Sequence, residues 1–103
     1  MLIRSQDKET IVNLGNVTNL FIKDNKMICV MYPHTINNTP AFETLGLYSD
    51  VQKCIKVLDM IQNAYETSIY SDDAFDYSAQ VQRPYIFMNN RVFQMPDDRE
   101  VNV

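Results

Sequence analysis

One long helical period stands behind a run of β segments, and that order leaves few folds open to this chain. From Val51 to Tyr65 the apolar residues Val51, Cys54, Ile55, Leu58, Ile61 and Tyr65 follow i, i+3, i+4, i+7 spacing, while Lys53, Lys56, Asp59 and Asn63 fall largely off that stripe. Ser49–Asp50–Val51–Gln52 just ahead of it fits the S-x-x-Q capping box, in which the hydroxyl accepts a free amide and the glutamine reaches back. Asp50 adds a negative charge to the positive first turn. The pattern predicts a helix over about residues 49–66. Burying about five such side chains is worth on the order of 8–12 kcal/mol before conformational entropy is subtracted.

Short β-rich runs separated by turn residues fill the chain before this helix. Leu2–Arg4, Thr10–Leu14, Val17–Lys23 and Lys26–Tyr32 read as four strands. Gly15–Asn16 and Asp24–Asn25 supply turns, since these residues tolerate positive φ. Lys26–Tyr32 is the most apolar stretch, which predicts a central strand. Pro33 ends it in this reading, because proline offers no ladder donor, and Pro33–Pro40 becomes a polar loop. Ala41–Tyr48 is the fifth strand, with Phe42, Thr44, Gly46 and Tyr48 on one face and Glu43, Leu45 and Leu47 on the other. Gly46 marks either a bulge or a close approach by another part of the chain.

Past the helix the period is lost. Residues 67–80 read either as a short helical turn capped by Ser71 and running to Tyr77, or as a loop. Tyr85–Met88 and Arg91–Met95 around Asn89–Asn90 predict a C-terminal hairpin with a type I′ turn. Pro96–Val103 reads as an acidic, frayed tail. The expected fold is therefore α+β: a curved antiparallel sheet of about five strands plus the hairpin, packed on one long helix. A half-open barrel plugged by the helix ranks ahead of a flat two-layer sandwich. Residues 1–95 form one globular domain in this reading, and 96–103 a flexible tail.

Charge narrows the class of job. The chain of 103 residues has a net charge of −4, and residues 66–103 hold all of it: seven acids against three bases. Residues 1–65 balance six of each. A phosphate backbone is bound by clustered Lys and Arg, which this sequence lacks, so direct nucleic-acid binding is not expected. An acidic surface repels nucleic acid and attracts a basic protein groove, although acidity also serves solubility alone. No apolar run approaches the roughly 20 residues of a membrane span, and the polar first ten residues do not read as a signal peptide. The expected setting is the cytoplasm.

Catalytic chemistry finds little to build from. His34 is the only histidine and lies after Pro33 with no inferable partner, so no triad can be written around it, and a hydrolase or small-molecule binder using His34 or the cluster of Asp72, Asp73 and Asp76 ranks last among the readings. Cys29 falls in a strand and Cys54 on the helix's apolar stripe, where cysteine behaves as a small hydrophobe. Zinc spacing is absent. Asp72, Asp73 and Asp76 lack the glycine and closing glutamate of a calcium loop. Gly15 and Gly46 stand too far apart for a phosphate cradle. The sequence predicts a protein with no enzymatic activity, no cofactor and no metal.

Aromatic residues crowd the C-terminal third. Tyr65, Phe87 and Phe93 read as core. Tyr70, Phe75 and Tyr77 lie in the segment without a period, interleaved with Asp72, Asp73 and Asp76. Aromatic anchors beside carboxylates suit a protein interface whose partner supplies Arg or Lys. These six residues are the candidate protein-binding site. The competing reading is a general interaction or adaptor domain, or a homodimer formed through exposed strand edges.

Met1–Lys8 (MLIRSQDK), Val57–Gln62 (VLDMIQ) behind the capping serine, and Val92–Asp98 (VFQMPDD) together resemble a group of small proteins encoded by phages and mobile elements of low-GC Gram-positive bacteria. The resemblance covers about a third of the chain and leaves residues 33–48 and 66–84 unmatched. Some small acidic proteins of such elements are anti-CRISPR inhibitors, which occupy Cas nuclease surfaces meant for guide or target nucleic acid. The resemblance thus implies a bacterial host cell as the setting and a Cas9-type nuclease as one partner with a basic groove. It brings no catalytic residue.

Overall fold

The computed structural model describes the backbone of residues 1–79 and 92–103 and the side chains of residues 1–66 and 92–103. In chain order the elements are β1 (Leu2–Arg4), β2 (Ile11–Asn13), a 3-10 turn (Leu14–Asn16), β3 (Asn19–Lys23), β4 (Met27–Ile36), β5 (Thr39–Leu47), α1 (Val51–Ala79), β6 (Val92–Gln94) and a second 3-10 turn (Asp98–Glu100). The fold is α+β, as the strand-then-helix order predicts.

The strands form two three-stranded sheets, ordered β2-β1-β6 and β3-β4-β5. The first is mixed: β1 runs antiparallel to β2 and parallel to β6, with Ile3 opposite both Val12 and Phe93. The second is an antiparallel meander with β4 at its centre, as its apolar run requires. Strand β6 joins an N-terminal strand, and the rest of the expected C-terminal hairpin (Tyr85–Met88 and Asn89–Asn90) lies outside the described residues.

Two turns set the meander. Asp24 and Asn25 adopt φ of 55° and 61°, and Lys26 N donates to Lys23 O at 3.2 Å. Asn37 and Asn38 adopt 53° and 65° between the paired residues Ile36 and Thr39. Asparagine tolerates this left-handed backbone, which suits the twist of flanking strands. The expected Pro33–Pro40 loop is therefore the tip of a hairpin. Strand β4 runs through Pro33 because the β4–β5 register is interrupted between Met31 and Thr35, where a missing N–H donor costs little.

The helix departs from expectation at both ends. It begins at Val51, and Asp50 caps it: its Oδ1 accepts from Lys53 N at 3.0 Å. The Ser49 amide instead donates to Asp98 Oδ1 at 2.7 Å. At the other end the helix continues past residue 66 to Ala79, through the segment where apolar periodicity fails. Its 29 residues span about 43 Å. Periodicity reports a buried face, so a helical stretch without one escapes it. Within the packed portion Cys54, Val57 and Ile61 are buried and Leu58 is half-buried, whereas Ile55 and Tyr65, expected on the stripe, are exposed.

One core joins all the layers: Ile3 and Val12 from the first sheet, Ile28, Val30 and Leu45 from the second, Cys54, Val57 and Ile61 from the helix, and Tyr48 between them. Met95 and Val101 complete it. The segment read as a frayed tail is thus packed. Met95 N extends the parallel ladder by donating to Arg4 O at 3.0 Å, and Glu100 closes the final turn by accepting from Asp97 N at 2.8 Å. Within Pro96–Val103 itself Pro96 and Val101 are buried, and their burial outweighs the local acidity that made this stretch look unanchored.

Candidate functional site

The six residues expected to bind a partner, Tyr70, Asp72, Asp73, Phe75, Asp76 and Tyr77, all fall on the second half of α1. Their side chains lie outside the described residues. Their backbone is helical, so their register follows from 3.6 residues per turn. Tyr70, Asp73 and Tyr77 (i, i+3, i+7) share one face, whereas Asp72 and Phe75 fall more than about a third of the way around the helix from its centre and Asp76 about a quarter. The spacing that gave no core-facing stripe thus distributes carboxylate and aromatic positions over two faces of the helix.

The other candidate groups are fixed more closely. His34 is exposed on the β4–β5 hairpin and stacks on Tyr32, with ring centroids 5.6 Å apart and planes inclined by 25°. The Tyr32 hydroxyl donates to Glu43 Oε1 at 2.7 Å, and that bond holds the phenol above its usual range. Cys29 and Cys54 are buried free thiols. Burial pushes the Cys54 thiol up, away from the thiolate, the carboxylates of Asp50 and Asp98 adding to the effect, which is the environment of a packing cysteine. Among the described residues no group of three or more His, Cys, Asp or Glu converges as a metal site would require. No helix among them is long and apolar enough to cross a membrane.

The acidic C-terminal stretch takes a structural role. Asp98 Oδ1 accepts from Ser49 N at 2.7 Å and its Oδ2 lies 3.4 Å from Lys53 Nζ, and these contacts hold its carboxyl below the usual range. Lys53 Nζ also donates to the Asp98 carbonyl at 2.9 Å. Asp98 therefore ties the last turn to the start of α1.

Two surface features were not legible in the sequence. The first is the face of the β3-β4-β5 sheet carrying Phe21, Lys23, Met27, Met31, Phe42 and Leu47. Phe42 and Leu47 are 45% and 54% exposed. Phe21 meets Phe42 edge-on with centroids 6.5 Å apart, and Lys23 Nζ sits 5.3 Å from the Phe42 centroid. Alternation along Ala41–Tyr48 puts Phe42, Thr44, Gly46 and Tyr48 on one side. The register shift opposite Ile28 and Cys29 breaks that alternation: Phe42 pairs with Met31 and Thr44 with Cys29, but Gly46 pairs with Ile28. Gly46 and Tyr48 turn inward and Leu47 outward, as a one-residue slip demands.

The second is an apolar groove of about 510 Å³ lined by Met1, Leu14, Gly15, Leu20, Leu58, Ile61, Gln62 and Tyr65, between the helix, β3 and the turn after β2. Its residues come from four separated stretches, so only the fold assembles it.

No protein-family model, curated protein or solved structure matches the chain.

Proposed function

We propose that this is a small acidic, non-enzymatic protein-binding protein, and that Tyr70, Asp72, Asp73, Phe75, Asp76 and Tyr77 meet a basic groove on its partner. The observation that supports the reading most is the unbroken helical backbone from Val51 to Ala79. It turns an acidic-aromatic stretch into positions at helical spacing on one element, where carboxylates such as Asp72 and Asp76 recur one turn apart. The charge excess after residue 65 supports it independently. A groove that normally holds nucleic acid offers the complementary potential. The resemblance to phage and mobile-element proteins extends the reading to an anti-CRISPR-type inhibitor of a Cas nuclease in a bacterial cytoplasm.

A pull-down and cleavage assay with a Cas9-type nuclease tests that version. Inhibition that weakens with rising salt, and that is lost on Asp72→Lys with Asp73→Lys, is the expected result. No binding and no inhibition at micromolar protein overturns the nuclease as partner. Binding that survives both the double substitution and high salt overturns the acidic positions as the contact.

A second reading, a homodimer through the outer face of β3-β4-β5, is favoured by that face's composition. Lys23 is its one charged residue among the ladder positions Asn19, Phe21, Lys23, Met27, Cys29, Met31, Phe42, Thr44 and Leu47. Two such faces meet with a single like-charge pair to separate, and each buries exposed Phe42 and Leu47. Sedimentation velocity across a wide protein concentration range decides it. A dimer that Phe42→Ser with Leu47→Ser dissociates supports this reading, and a concentration-independent monomer removes it.

A further inference from the structure

We draw no further inference here: the strongest candidate, the apolar groove between the first half of α1, β3 and the turn after β2, carries nothing because nothing among the described residues shows what covers it.

Discussion

The side chain of Gln6 treats Leu47 as a strand neighbour. Its Oε1 accepts from Leu47 N at 2.9 Å and its Nε2 donates to Leu47 O at 3.1 Å, while Gln6 N donates to Leu45 O at 2.7 Å. The same Nε2 reaches Pro96 O at 3.2 Å. One residue thus closes the edge of β5, joins the two sheets and holds the C-terminal segment. Gln6→Ala leaves the Leu47 amide and carbonyl without this partner. We expect it to lower stability by about 1–3 kcal/mol in urea unfolding. Gln6→Glu cannot donate to either carbonyl, so it is expected to recover little of that loss near neutral pH.

Gly46 has no room for a side chain. A Cβ there would stand 2.9 Å from Tyr48 Cε2 and 3.0 Å from its hydroxyl oxygen. Tyr48 is almost fully buried and its hydroxyl donates to Pro96 O at 2.7 Å, so the ring cannot yield without breaking that bond. Gly46→Ala is expected to cost about 1–3 kcal/mol through overpacking. Thermal unfolding measures the loss, and a wild-type midpoint would show that the ring moves freely.

Tyr48 also sets an alkaline limit. Burial, reinforced by negative charge on Asp97, Asp98 and Glu100, drives its phenol well above the ordinary value of 10.0. The folded state then holds a proton that the unfolded chain gives up from about pH 10. The resulting stabilisation is complete below that pH and falls as pH rises toward the folded value. Cys54, raised from 9.0, acts in the same direction from a lower pH. Urea midpoints from pH 8 to 11 are expected to decline, and Tyr48→Phe to decline less steeply. Parallel curves for the two proteins would contradict this.

Asp98 governs the acid side with the opposite sign. Its folded carboxyl titrates below the ordinary 3.8, held by the Ser49 amide and by Lys53. Its contribution is complete above the unfolded value and is lost as pH falls through the folded one. Asp7 follows the same course, because the Ser5 hydroxyl and the Glu9 amide bind its carboxylate. Asp98→Asn is expected to flatten the loss of stability between about pH 5 and pH 2, since the group no longer titrates. An unchanged acid limb in chemical unfolding would remove Asp98 from that role.

Some of this was written in local sequence. The helix over its packed half was legible because Val51, Cys54, Leu58 and Ile61 repeat at helical spacing, although that stripe also took in the exposed Ile55 and Tyr65 and left out the buried Val57. The Asp24–Asn25 turn was legible because both residues accept positive φ. Gly46 was recognisable as a bulge or a close approach, and the structure makes it both: it adjoins the register shift and faces the Tyr48 ring. The further run of α1 to Ala79 was hidden, because a helix without an apolar stripe leaves no trace in hydrophobic periodicity. The interleaved aromatics and carboxylates from Tyr70 to Tyr77 stand out in the sequence, but only the fold gives them a helical register.

Sequence alone determined the α+β class, the central place of β4 and the buried helical stripe, since each rests on residues within one turn or one strand of each other. Tertiary structure decided how the strands divide between two sheets, that Val92–Gln94 lies parallel to β1, and that Met95 and Val101 anchor the acidic end. Those outcomes depend on partners some 90 residues away, as when Gln6 reaches Pro96. Such contacts become favourable only once the chain has closed the intervening loop, so no local pattern announces them.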